Sequence, residues 1–293
     1  MEINASIKFS KNTPVNERMY NFRRKLIQLI TYTFLTVYSC FTIFPILWVL
    51  SNSFRTNNQI FTNITIIPET FNLVNFNRVL TSSNLPIAFY NSLSITLLSL
   101  VLLLFVVLPV AFVISRFKFR AGSYIYLFFS LAVFVPTVTI LPMLFKLFGD
   151  FGFLGHKYPI VFAYVIEQAP VSMFLLVAFM MGIPKELEEA AIIDGSSIWK
   201  IFTSIMIPLT KNGIVTVLIL CFVNIWNDYI QAFTFIPGYR TLTVQLAFSK
   251  TEFTTDYGMM SASIVFAITP MIIFYLFMKE HLMKGMAEGA VKG

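Results

Sequence analysis

Pro184-Lys-Glu-Leu-Glu-Glu-Ala-Ala-Ile-Ile-Asp-Gly195 is a charged, helix-forming island between two long apolar runs. Proline suits the first helical position, and Glu186, Glu188 and Glu189 place negative charge at the positive end of the helix dipole. Leu187, Ala190, Ala191 and Asp194 share one face by their i, i+3, i+4, i+7 spacing, and the two alanines let another surface come close. Asp194-Gly195 stops the helix. Ser196 or Ser197 can cap a second helix that begins Ile198-Trp199-Lys200 and leads back to an apolar run at Ile207-Pro208-Leu209. The spacing thus predicts helix, sharp turn, helix. Such a segment is either a handle for something outside the membrane or a plain connection between two spans.

The surrounding composition sets the class. Hydrophobic residues make up 57 % of the chain and charged residues 12 %, with a mean hydropathy of +0.77. A soluble domain carries about 25 % charge, so this chain could not cover its surface with polar groups in water. It reads as a polytopic membrane protein. The net charge of +7 does not indicate nucleic acid, because the basic residues form no patch with interleaved aromatics. Cys40 and Cys221 both lie in apolar runs, with no CxxC or Cys/His metal spacing.

Charge-poor intervals locate the spans, since about 20 apolar residues cross the hydrocarbon core. Six transmembrane helices are predicted, near residues 28–50, 91–114, 123–147, 160–182, 212–233 and 259–278. The stretch Thr81-Ser-Ser-Asn-Leu-Pro86 reads as loop, so the long interval from Arg78 to Arg116 holds one helix. The first run is too long for a signal peptide and has no small-residue cleavage site after it, which makes it a retained anchor. Assigning loops alternately puts 15 of the 21 Lys and Arg on the N-terminal side and 6 on the other. The positive-inside rule then places both termini and the 184–211 loop in the cytoplasm, with residues 52–90 and 235–257 outside. The expected organisation is a cytoplasmic tail over 1–25 and a transmembrane domain over 26–293, ending in a cytoplasmic tail over 279–293.

Several residues together carry a specific resemblance. Glu189-Ala190-Ala191, Asp194-Gly195 and Ile207-Pro208-Leu209, at this spacing, resemble the EAA loop of ABC importer permeases. Asn224-Ile-Trp-Asn-Asp-Tyr229, Thr241-Leu-Thr-Val244, Asp256-Tyr-Gly258 and the C-terminal Glu288-Gly-Ala-Val-Lys-Gly293 are similar to the carbohydrate branch, in particular to the second, six-helix permease subunit of maltose-type importers. The likeness runs from about residue 22 to 293. Ile207, where leucine is usual, and Asn212, where proline often stands, depart from the commonest pattern.

The resemblance implies an all-α, type I ABC importer permease fold with a cytoplasmic coupling helix, working as one half of a heterodimeric sugar or oligosaccharide channel in the cell membrane. It implies three kinds of partner: a second permease, a cytoplasmic ABC ATPase dimer and an extracytoplasmic solute-binding protein, with membrane lipid around them. In that family the EAA helix docks in a cleft of the ATPase. Glu186 and Glu189 would anchor the contact, Ala190 and Ala191 permit close approach, Asp194 and Gly195 form the turn, and Pro208 marks the return to the membrane. The C-terminal residues Gly289, Ala290, Val291, Lys292 and Gly293 are a second implied ATPase contact. No cofactor is expected in this chain, ATP and Mg being held by the ATPase. The chain is expected to be non-catalytic: it has no GxxxxGK[ST] motif, and its two histidines, His156 and His281, lie on opposite predicted sides.

Glu167 is the one acid deep in a predicted span, next to Gln168. An ionisable group at that depth faces a cavity or a partner. It is a contact on the translocation path, a proton site of an ion-coupled carrier, or a structural bond between helices. Asn224, Trp226, Asn227 and Asp228 form a polar and aromatic cluster suited either to sugar hydroxyls and ring faces or to anchoring at the membrane interface. An importer permease for a non-sugar solute is the nearest alternative function.

Overall fold

The computed structural model describes the backbone of residues 14–290 apart from 64, 69 and 253–255, and the side chains of residues 20–278 apart from those positions and 82 and 249–252. Among the described residues there is helix and no strand. This is what an apolar solvent demands, because backbone N–H and C=O groups that lipid cannot satisfy must pair within their own segment.

Among the described residues four helices are long and apolar enough to span a membrane alone: α1 (Pro14–Asn52), α4 (Leu85–Arg116), α7 (Ile160–Met181) and α14 (Tyr257–Ala290). Between α1 and α4 lie the short α2 (Asn57–Thr62) and α3 (Val74–Ser82). The predicted third span is bent: α5 (Arg120–Ala132) and α6 (Thr137–Asp150) meet at 105° across Val133-Phe-Val-Pro136. The predicted fifth is α11 (Lys211–Asn227), which follows the segment Ile198–Leu209 at an angle of 70° and breaks at Asp228-Tyr229 before α12 (Ile230–Phe235). With α8 (Glu186–Ile193), α9 (Ile198–Ile201), a π-helical turn (Phe202–Met206), α10 (Ile207–Leu209) and α13 (Leu242–Glu252), the described elements are complete. The 81–86 stretch is a break only at Ser83-Asn84, with helix on both sides.

The α4–α7 pair is the centre. On α4 the buried positions Ile95, Ser99, Leu103, Val107 and Ala111 recur every four residues. They form one stripe, which packs along α7. Its small and hydroxylated members, with Ser92 and Thr96, bring the backbones together where hydrocarbon supplies no hydrophobic drive. On α4, Ser99 Oγ donates to Ile95 O and Ser92 Oγ accepts from Leu242 N–H; on the facing α7, Ser172 Oγ donates to Gln168 O. Helix α11 packs against α7, α4 and α14, while α1 lies mainly against α14 and keeps its apolar side chains exposed, as a lipid- or partner-facing helix must.

At the end of the bundle remote from α8, polar groups tie the loops. The buried Arg55 guanidinium donates to the carbonyls of Asn63 and Thr65, Asn75 Nδ2 donates to the Ser53 and Arg55 carbonyls, and Arg78 pairs with Asp256 at 2.6 Å.

Gly213 sits where α11 crosses α7. A Cβ built there would stand 2.6 Å from Phe179 Cγ, so only glycine fits without moving the ring. Gly213→Ala is expected to cost about 1–3 kcal/mol of stability, read as a lower melting temperature of the purified protein in detergent. In a Phe179→Ala background the same substitution should cost little further, because the ring it would displace is gone.

Candidate functional site

Helix α8 is eight residues long, and its local chemistry accounts for both ends. Glu186, Glu188 and Glu189 occupy the first turn, as the dipole favours. Lys185 holds the N-cap position and Pro184 lies outside the helix, which starts two residues later than the sequence reading placed it. At the far end Gly195 has φ +77°, with Gly195 N–H donating to Ile192 O and Ser196 N–H to Ala191 O at 2.9 Å each. That pairing is a Schellman motif, and it satisfies carbonyls that the helix end would otherwise leave bare. Ser197 then accepts from Lys200 N and starts α9.

The following turn widens to π geometry over Phe202–Met206, with Ile207 N–H reaching back to Phe202 O. Pro208 comes next and has no N–H to give, so the wide turn sits where a regular ladder would already be broken. Pro208 itself is exposed.

The faces of α8 differ from the sequence expectation. Ala191 and Glu188 turn inward, while Leu187, Ala190 and Asp194 are exposed, as are Glu186 and Glu189. The inward stripe is therefore i, i+3 from Glu188, because its carboxylate finds a buried cation: Arg116 Nε lies 2.6 Å from Glu188 Oε1, with side-chain exposures of 4 % and 14 %. The contact is one of charge and distance and not an aligned hydrogen bond, since neither atom has a partner of good hydrogen-bond geometry. Arg116 also donates from Nη2 to Ile183 O at 3.0 Å and touches Met206 Sδ at 3.6 Å. The outward side carries Ile192, Ile193, Ile198 and Trp199, with Ile193 85 % exposed. This is an open apolar surface rimmed by carboxylates, the kind that marks interaction sites on proteins.

A second polar cluster lies along α7 and around the two helix breaks. Glu167 Oε1 accepts from Thr137 Oγ1 at 2.8 Å, and Glu167 Oε2 accepts from Gln231 Nε2. Tyr164 Oη donates to Asp228 Oδ2 at 2.8 Å; the same carboxylate accepts from the backbone N–H of Ala232 and, through Oδ1, from that of Gln231. Asn224 Nδ2 donates to Gln168 Oε1 at 3.2 Å. Trp226 is buried, stacked on Phe222 and edge-on to Phe89, whereas Asn227 is exposed. Glu167, Gln168, Asn224 and Asp228 are thus brought together with polar partners on neighbouring elements, and Trp226 stands apart from them in the core.

Sequence reasoning missed Arg116 and Glu188 as a pair, and Thr137, Tyr164 and Gln231 as partners of the intramembrane acids. These contacts join residues 30 to 72 positions apart, and no local spacing announces them. Gly289 and Ala290 fall in the last turn of α14, and Val291, Lys292 and Gly293 lie outside the described residues. Among the described residues no group of three or more His, Cys, Asp or Glu could hold a metal ion.

Residues 107–287 match the family described as the binding-protein-dependent transport system inner membrane component. The chain belongs to that family. It is 32 % identical to the probable starch degradation products transport system permease protein AmyC of Thermoanaerobacterium thermosulfurigenes, over 92 % of this chain and 99 % of that one. It is 28 % identical to the melibiose/raffinose/stachyose import permease protein MelC of Bacillus subtilis, over 92 % and 99 %, and to the diacetylchitobiose uptake system permease protein NgcG of Streptomyces coelicolor, over 90 % and 88 %. In fold it matches a chain of a bacterial ABC transporter involved in the import of the acidic polysaccharide alginate, with a TM-score of 0.74 at 21 % identity, covering 87 % of this chain and 96 % of that one. The protein is accordingly a multi-pass membrane permease of the ABC importer class. The ion-coupled carrier built on Glu167 is set aside, because the family match covers that residue.

Gly195 is the pivot of the α8 turn, and a β-carbon in the left-handed region costs about 1–2 kcal/mol for residues other than Asn or Asp. Gly195→Val is therefore expected to speed amide hydrogen exchange at positions 195 and 196, whereas Gly195→Asn leaves it close to the parent.

Proposed function

We propose that this chain is the membrane-spanning subunit of an ATP-driven importer of a sugar or oligosaccharide, in which α8 couples the pathway to a separate ATPase. The observation that carries the reading is α8 itself: a short helix, tied inward by one ion pair, that presents Ile192, Ile193 and the Glu186 and Glu189 carboxylates outward. Such a surface suits insertion into a cleft with an apolar floor and a basic rim. Glu189 anchors the contact, Ala190 admits the opposing surface, and the Asp194-Gly195 turn keeps the helix short. The buried Ala191 fills the inner side and lets α8 lie close to the bundle.

A ligand moves a two-state equilibrium only through unequal affinity for the two states. ATP binds on another polypeptide, so the difference must reach the pathway through a stiff protein contact. In this reading six spans cross the membrane: α1, α4, the bent α5–α6 pair, α7, α11 and α14. Both termini and the 184–211 loop face the cytoplasm, and residues 1–25 and 279–293 form cytoplasmic tails. The excess of basic residues on that side, 15 against 6, supports the orientation.

The chain hydrolyses nothing itself. ATP and Mg belong to the ATPase dimer, a second permease completes the channel, and a solute-binding protein delivers the substrate to the 52–90 and 235–257 segments. The tail from Gly289 to Gly293 adds a further contact to the ATPase. A carbohydrate substrate is supported by relatives whose names specify starch degradation products, raffinose-type sugars and diacetylchitobiose.

Two measurements test the reading. Purified in detergent from its native cells, the parent should bring down an ABC ATPase and a second permease, and Glu189→Lys or Ile193→Asp should lose the ATPase while keeping the permease. Deletion of the gene should abolish uptake of at least one of maltotriose, raffinose and diacetylchitobiose and leave amino-acid uptake intact. Absence of an ATPase from the parent complex would sink the importer mechanism, and unchanged uptake of every sugar would remove the carbohydrate assignment.

A further inference from the structure

We propose that the buried Arg116–Glu188 pair is the joint through which α8 moves α4 and α7, and that both are positioning residues for coupling. The inference rests on the reading of α8 given above and goes beyond it by naming the transmitting contact.

One guanidinium on α4 reaches three other segments at this end of the bundle. Arg116 closes the last turn of α4, where a cation is favoured by the helix dipole. Its Nη2 donates to the carbonyl of Ile183, just beyond α7, and touches Met206 Sδ in the π-helical turn, while Nε faces Glu188 of α8 at 2.6 Å. The planar fork of arginine can serve three directions at once, which a lysine cannot. Apart from Glu188, α8 offers the bundle little more than Ala191, so most of its surface gives no purchase. The neighbouring Lys118 and Arg120 are exposed, which leaves Arg116 as the cation drawn in.

Stability alone does not explain the pair. Burying two charges costs desolvation that their attraction barely repays, and apolar residues of similar volume hold such a site as well. What a buried pair does supply is registry, because either charge left alone in the interior is strongly unfavourable. Displacement of α8 must therefore carry Arg116 with it, and with Arg116 come the end of α4 and the Ile183 carbonyl of α7. Those two helices pack along their lengths as the centre of the fold, so the pair delivers the motion to the part of the protein least able to deform locally.

The test uses the whole transporter, with its second permease and ATPase, in lipid nanodiscs. The probe is ATP with orthovanadate. Parent and variants alike carry Cys40→Ser, since Cys40 is exposed, and Asn227→Cys as a reporter at an exposed position near the second helix break. Three quantities are read: bound ATPase, ATP turnover, and the change in maleimide labelling rate at position 227 on adding the probe. The parent is expected to change its labelling rate by about fivefold or more, the low end of typical coupling. Arg116→Gln and Glu188→Gln should keep the ATPase and turn over ATP, yet lose most of that change. The double variant should be no worse than the worse single one, as for residues that act as a unit. Arg116→Lys, which keeps the charge and so folds where the neutral variants fail, should fall between. Variants that respond like the parent, effects that simply add, or loss of the ATPase from the single variants would each overturn the proposal. A parent that binds no ATPase at all would bring down the coupling reading first and the joint with it.

Discussion

Hydrocarbon offers no partner to a peptide group, and most of this structure follows from that constraint. A continuous helix meets it without help. A break does not, and the protein has two breaks within apolar runs, at Val133–Pro136 and at Asp228-Tyr229. The first is closed by backbone turn bonds, Phe134 N–H to Leu131 O and Val135 N–H to Ala132 O, and the second by a side chain. Asp228 accepts from the first free N–H groups of α12 and holds the hydroxyl of Tyr164, while its carbonyl accepts from Thr243. Thr137, the first residue after the other break, donates to Glu167. Gln231, in the first turn after the second break, donates to the same carboxylate. One acid on α7 therefore spans both interruptions, which gives it a structural reason to sit at membrane depth.

The two ends of α7 thus have different chemistry. Near its start lies the network around Glu167, whose members satisfy one another; just past its end, the Ile183 carbonyl is held by Arg116. Fourteen positions run from Glu167 to the last helical residue, Met181, about 21 Å of helix at 1.5 Å per residue. Pro170 removes one backbone bond from that length, yet the helix runs unbroken from Ile160 to Met181, packed against α4, α5 and α11. A packed helix of this kind has discrete arrangements and resists gradual bending, so the two ends are mechanically related.

How much of this was legible depends on range. Signals confined to a few residues held: the acids at the start of α8, the Gly195 turn and the Ser197 cap are local chemistry and sit where the sequence placed them. The apolar intervals found their helices. The bends did not show, and the prolines explain why. Pro109, Pro142, Pro170 and Pro270 lie inside continuous helices, whereas Pro136 ends a break. A neighbouring helix can re-satisfy the freed carbonyl, so the residue type alone does not distinguish kink from continuity. The inward face of α8 was misread for a related cause. Alanine at 190 and 191 suggested the contact side, but the orientation is decided by a cation 72 positions away, which no periodicity within the helix can report.

The same logic separates the polar residues of the fifth span. Trp226 and Asn227 are adjacent in sequence and look like one sugar-binding pair, but α-helical geometry turns them about 100° apart. Trp226 enters the core between Phe89 and Phe222, where its area stabilises the α4–α11 contact. Asn227 stays exposed at the helix end. Asp228, one position on, has its carboxylate occupied by Tyr164 and the α12 backbone. A solute passing this level could use Asn227 without displacing a structural bond, whereas using Asp228 would leave the first turn of α12 uncapped in a medium that cannot replace the lost partner. The break in the helix thus limits which of these polar groups is free for chemistry.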